Sequence, residues 1–189
     1  MDLKKFTTSD WLKIGGGIGI FIFGFLDWIT VSGFGISDSG GNVFDFFWTG
    51  TIPWILVIAT AVITILLRTG NLKAGTAPWP LILLVATAVA AVLLVIRLLF
   101  NPIDGKDLIE DAGGDVGRGI GMWLSVASGI VAFAGAIMGF TEAGGDLKDL
   151  TNVDKLKGAF AKGDATDPPP PPPPAAEPPA PPAPPVDPT

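Results

Sequence analysis

The fold class this sequence predicts is all-α: an integral membrane four-helix antiparallel bundle followed by a disordered Pro-rich C-terminal tail. Three observations predict it. Four apolar stretches, 14–32, 51–67, 79–100 and 120–140, fill most of the first 140 residues. A hydrocarbon core about 30 Å thick needs about 20 helical residues, and the working range extends down to about 17. Lys and Arg divide unevenly between the two sets of connections, as they do in chains threaded through a bilayer. The mean hydropathy of +0.53, with 49% hydrophobic residues, comes from these blocks and not from an even spread.

The N-terminal segment, 1–13, carries Lys4, Lys5 and Lys13 and reads as cytoplasmic. A cleaved signal peptide over 1–32 is the rival reading. Asp27 and Trp28 are misplaced for it, the apolar run is long, and no Ala-x-Ala site follows. The first connection, 33–50, holds no Lys or Arg and is rich in Gly and Asp. Pro53 opens the second span, the shortest, which crosses only with little tilt or with flanking Trp and Arg reaching outward. The second connection, 69–78, contains Gly70, Asn71 and Gly75 as breakers, and Pro78 and Pro80 open the third span. So short a turn predicts that spans two and three are antiparallel neighbours.

Nine basic residues flank one side: Lys4, Lys5, Lys13, Arg68, Lys73, Lys148, Lys155, Lys157 and Lys162. Arg97, Lys106 and Arg118 are the three on the other. Four spans with both termini cytoplasmic, in the plasma (inner) membrane, satisfy this split. Tryptophan supplies a second vote, because indole prefers the headgroup level. Trp11 and Trp79 fall at inner span ends, Trp28, Trp48 and Trp123 near outer ends, and Trp54 slightly deeper. All six are expected interface anchors.

The two outer connections share a pattern: Asp38-Ser-Gly-Gly-Asn-Val43 matches Asp111-Ala-Gly-Gly-Asp-Val116 in type, each followed by a Trp. Duplication of a helical hairpin and chance similarity of polar Gly-rich loops both explain it. After the fourth span, 141–167 forms a linker. Leu147, Leu150, Val153, Leu156 and Phe160 within it have helical spacing, which suits a short amphipathic helix on anionic lipid or a solvated segment. Residues 168–189 open with seven consecutive prolines and continue in Pro/Ala repeats. Such a tail extends as polyproline II and serves either as a spacer or as a peptide for proline-reading grooves.

Candidate functional residues are few. Cysteine and histidine are both absent, which removes thiol nucleophiles, thiolate and imidazole metal ligands and the commonest general base. Enzymatic activity, a cofactor and a metal are therefore not expected, and a net charge of −6 argues against nucleic acid. Asp27 and Arg97 are the charges nearest the membrane interior, where charges pair or face water. An Asp27–Arg97 ion pair and separate snorkelling to the interface are the two readings. Gly15, Gly19, Gly121, Ser125, Gly129, Gly135 and Gly139 form small-xxx-small steps that let helices approach, either within the bundle or between copies in a homo-oligomer.

Phe25-Leu26-Asp27-Trp28 near the end of the first stretch, the Gly/Ser-rich loop after it, and Gly119-Ile-Gly-Met-Trp-Leu124 opening the fourth complete a set of motifs. Over residues 10–140 the chain resembles small four-transmembrane-helix membrane proteins of uncharacterised function of the actinobacterial type. That resemblance implies a bacterial membrane location and a shape, with no activity attached. The expected role is that of an accessory or scaffold protein whose partners are the bilayer and a protein docking on the outer loops or the tail. The alternative is a small transporter or channel-like oligomer using Asp27 and Arg97.

Overall fold

The computed structural model describes residues 5–33, 36–73, 75, 77–100, 106–152 and 158. These residues are mostly helical. Three helical segments, Phe47–Thr69, Trp79–Phe100 and Ile120–Glu142, are long and apolar enough to cross a membrane, and they match the second, third and fourth predicted spans closely. The Pro-rich tail and most of the amphipathic linker lie outside the described residues; of that linker, Leu147–Thr151 forms a 3-10 turn.

The first apolar stretch departs from expectation. Helix α1 runs Thr8–Phe23, six residues earlier than predicted, and ends nine residues earlier. Its 16 residues measure about 24 Å. Thr7 starts it: its N–H and hydroxyl both donate to the Asp10 carboxylate, at 3.0 and 3.1 Å, which ties down the first turn. After Gly24 the chain turns and enters strand β1, Ile29–Gly33. Ile29, Thr30 and Val31 are β-branched, a run that suits a pleated surface better than a helix. Hydropathy registers them as a continuing span, and pairing on both sides with other strands holds them extended.

Strand β1 is the centre of an antiparallel sheet of order β2-β1-β3, with β2 at Ile36–Gly41 and β3 at Asp115–Arg118. Val31 pairs with Asp38 on one side and Val116 on the other. The two connections thus meet in one sheet. A 3-10 turn, Val43–Asp45, and a π-helical turn, Phe47–Thr51, lead from β2 into helix α2, Ile52–Thr69. Helix α3 covers Trp79–Phe100, a short helix α4 covers Lys106–Asp111, and helix α5 covers Ile120–Glu142. Gly70, at φ 77°, ends α2 in the left-handed region, where a side chain is strained.

The two similar loop segments adopt different conformations. Ser39 to Gly41 belong to β2 and Gly41 takes φ 133°, whereas Asp111 closes α4, Gly113 takes φ 84°, and the strand begins only at Asp115. The shared pattern therefore does not build the same local structure in the two connections.

Helix α1 packs on α2 and α5, and α3 also packs on α2 and α5, so the four long helices close a ring of neighbours. Gly16 and Gly17 let α1 approach its neighbours closely. A Cβ on Gly16 would stand 2.6 Å from the Ser128 carbonyl oxygen and 2.7 Å from the Ala132 Cβ, and one on Gly17 would meet Ala61. Of the predicted packing residues, Gly19 abuts Ser128, Gly121 abuts Leu26, Gly129 abuts Leu94, Gly135 abuts Leu12 and Ser9, and Gly139 abuts Lys13. Ser125 is fully buried. Gly15 is the exception: among the described residues, nothing lies within 4 Å of its Cβ position. The contact face of α1 is thus one residue round from the face that the Gly15–Gly19 step implied.

The interior is partly polar and the helix exteriors are apolar. Thr60, Thr64, Thr87, Ser125 and Ser128 are buried, while Ile18, Ile22, Ile55, Val62, Val89, Val92 and Ile130 are exposed. Water rewards the reverse arrangement, and lipid tolerates this one because the exterior has nothing to gain from burial.

Candidate binding site

Each end of the helices carries one constellation of polar groups. At the sheet end stand the two residues singled out as membrane charges, and the structure separates them. Asp27 is exposed and accepts a 2.5 Å hydrogen bond from Ser39 Oγ. Arg97 is 2% exposed, with its guanidinium carbon 3.6 Å from the centre of the Phe46 ring, a cation–π arrangement. The ion pairs among the described residues do not include one between them. The predicted Asp27–Arg97 contact is therefore corrected. Turning the chain at Gly24 places Asp27 beside β2 on the surface, and the Phe46 face covers Arg97.

Trp28 is likewise corrected as an interface anchor. It is fully buried in a cluster with Ile29, Val43, Val116 and Met122, because its backbone joins the sheet: its N–H donates to Gly41 and its carbonyl accepts from Gly119. Trp11, Trp48 and Trp123 are exposed, as an anchor requires, and Trp54 is half-buried among Phe21, Phe25 and Phe44. Arg118, counted above only as an outer charge, donates to the Leu98 and Leu99 carbonyl oxygens at 2.7 and 3.2 Å and so caps the end of α3.

The opposite end holds a constellation that residue counting missed. Asp10, in the first turn of α1, is 1% exposed. Its Oδ1 lies 3.1 Å from Lys13 Nζ, and its Oδ2 lies 2.6 Å from Arg68 Nε, in the last turn of α2. Ser9 Oγ donates to Glu142 Oε2, the last residue of α5, at 2.7 Å. Three helices are thereby joined by side chains. Burial works to raise the Asp10 carboxyl, but the Thr7 amide and the Arg68 and Lys13 side chains outweigh it and hold the group below the usual carboxylate range. Asp10 and Lys13 both precede Ile14, where the apolar run begins.

Beside this clasp lies a cavity of about 520 Å³. Asp10, Lys13 and Arg68 form its charged wall, Glu142 and Thr7 also border it, and Leu67, Leu83, Trp79 and Pro80 form an apolar wall. Trp79, expected as an anchor, is a lining residue here. The sequence did carry a signal for the clasp: Thr7-x-x-Asp10 before an apolar run is a helix-start pattern, and Asp10 and Lys13 fall on one face at i, i+3 spacing. Arg68 and Glu142 carried none, since only the packing of α1 against α2 and α5 brings them near.

Chemically this end can fix charge, with two cations and two carboxylates gathered on three helices. The buried threonines are committed to their own helices: Thr60, Thr64 and Thr87 hydroxyls donate to Leu56, Thr60 and Leu83 carbonyl oxygens at 2.8–2.9 Å. The chain matches no protein family, and neither a curated protein nor a solved structure matches it.

Proposed function

We propose that this chain is a four-span plasma-membrane protein of the accessory or scaffold type, non-enzymatic, with both termini in the cytoplasm. The observation that carries the reading is the distribution of its surface: apolar side chains point outward along helices whose polar groups are buried or gathered at the two ends. Helix α1 is short for a span, and Phe25 and Leu26, both exposed just beyond its end, extend the apolar exterior. Ser9 sits on Glu142, so the start of α1 and the end of α5 share one end of the helices. In this reading the nine basic residues mark that end as cytoplasmic, the sheet faces outward, and residues 168–189 project inward as the docking peptide.

The transport alternative relied on Asp27 and Arg97 acting together. Their separate partners, and the committed threonine hydroxyls, give it no continuous polar route.

Because the chain has no cysteine, single cysteines report orientation without background. Ser39→Cys should react with a membrane-impermeant maleimide on intact cells, whereas Asp146→Cys should react only after the membrane is opened. The reverse pattern overturns the orientation. Crosslinking in membranes should capture a partner from the full chain and lose it when residues 168–189 are deleted. Capture that survives the deletion removes the tail from the role.

A further inference from the structure

The clasp leaves donors unused. Asp10 is fully served by Lys13, Arg68 and Thr7, yet it takes one N–H of the Lys13 ammonium and only the Nε of Arg68. The Lys13 side chain is 8% exposed and borders the cavity, so its ammonium is largely withdrawn from bulk solvent. The terminal amino groups of Arg68 are also available on the same wall. Two cations against the Asp10 carboxylate leave one positive charge at that wall, and Glu142 at the border brings the whole lining to zero, a positive pole beside a negative one. Glu142, an exposed residue, accepts from the Ser9 hydroxyl, and the ion pairs among the described residues do not include it. A buried ammonium with spare donors gains most from an anionic oxygen, because charge-assisted bonds are strongest where water is excluded.

The complement of this wall is therefore an anion inside followed by a donor-bearing cation nearer solvent, with apolar matter against Leu67, Leu83, Trp79 and Pro80. We propose that the cavity binds the headgroup of an ethanolamine phospholipid, the phosphate toward Lys13 and Arg68 and the primary ammonium toward Glu142. A volume of about 520 Å³ is of the size that small ligands occupy. A charged pocket between helix ends at the cytoplasmic side lies at the level of lipid headgroups. Glu142 supplies the discrimination: glycerol headgroups offer it no cation, and a quaternary ammonium offers it no N–H. This inference rests on the membrane reading above.

The test uses the full chain purified in mild detergent and presented with equal amounts of phosphatidylethanolamine, phosphatidylglycerol and phosphatidylcholine of matched acyl chains. Native mass spectrometry reads the lipid retained. Phosphatidylethanolamine should be retained about tenfold over either competitor, a difference of ordinary size for one charge-assisted contact. Glu142→Gln should abolish that preference while leaving phosphatidylglycerol retention unchanged. Lys13→Met should weaken all three lipids, and Arg68→Gln, on a partly exposed side chain, gives the same reading if Lys13→Met does not fold. Soluble phosphoethanolamine forms the last arm: competition with lipid supports the headgroup site and points to the free compound as a second source, and absence of competition supports a lipid-only occupant. Equal retention of the three lipids, or retention unchanged in Glu142→Gln and Arg68→Gln, overturns the proposal. A chain that leaves the membrane pellet on alkaline washing sinks the membrane reading, whereas a chain that stays in the pellet without headgroup preference sinks the cavity proposal alone.

Discussion

The sheet end and the clasp end close the same set of helices by opposite means. At the sheet end, two long connections bring in backbone: three strands hydrogen-bond to one another and cover an apolar cluster centred on Trp28. At the clasp end, the turn from α2 to α3 is too short to build anything, and side chains from α1, α2 and α5 meet directly through Asp10, Arg68, Lys13, Ser9 and Glu142. The difference teaches where stability is sensitive. A sheet spreads its bonds over many residues, while a clasp concentrates them on one carboxylate.

The largest expected effect tests that concentration. Asp10→Ala leaves Lys13 buried without its anion, and loss of one partner of a buried pair costs about 3–5 kcal/mol. A thermal melt in detergent should fall steeply. Replacing Asp10 and Lys13 together by Leu and Met should recover most of the loss, since two uncharged side chains leave no stranded ion. Should the double variant melt as low as the single one, the clasp is not acting through the pair.

Acid probes the same carboxylate without mutation. Because the Asp10 carboxyl is held below its unfolded value, its stabilisation is fully present above that value and is lost as pH falls through the lowered one. Melting temperature should therefore fall in that acidic window, and Asp10→Asn should flatten this part of the profile. An unchanged acid slope in Asp10→Asn would assign it to other carboxylates.

At the sheet end, Trp28→Ala should cost about 3–5 kcal/mol, as removal of a fully buried large aromatic does. Trp123→Ala, on an exposed ring, should change the melt little. Equal effects would contradict the burial of Trp28. Between the ends, Gly16→Ala should destabilise by about 1–3 kcal/mol through collision with Ser128 and Ala132. Gly15→Ala, with open space at its Cβ, should be neutral or gain up to about 1 kcal/mol from helix propensity. Smallest of all, Asp27→Asn keeps an acceptor for Ser39 on an exposed site and should move the melt by no more than about 0.5 kcal/mol.

Particular residues mark how far the sequence could be read. Three of the four predicted spans were legible as helices long and apolar enough to cross a membrane, because an unbroken apolar run of 17 or more residues has few other solutions. The first was misjudged at both ends, since hydropathy weighs Ile29 and Val31 as it weighs a helical Leu and gives no sign that Thr8 to Lys13 are already helical. For the site, Thr7-x-x-Asp10 and the Asp10–Lys13 spacing lay in plain view. Arg68 and Glu142, far from Asp10 along the chain, did not. The Asp27–Arg97 pairing failed for a related reason: depth counted along an imagined straight helix does not survive the turn at Gly24.

What the amino-acid sequence determined by itself was the placement of three long apolar helices and the grouping of the basic residues, because both follow from runs of residue type along one dimension. Tertiary structure alone decided that two separate loops share one sheet, that Trp28 is core and Arg97 is covered by Phe46, and that Asp10 gathers cations from two helices. Those outcomes depend on which faces of the helices meet, and a shift of one residue, as from Gly15 to Gly16, turns the contact by about 100° around the helix axis.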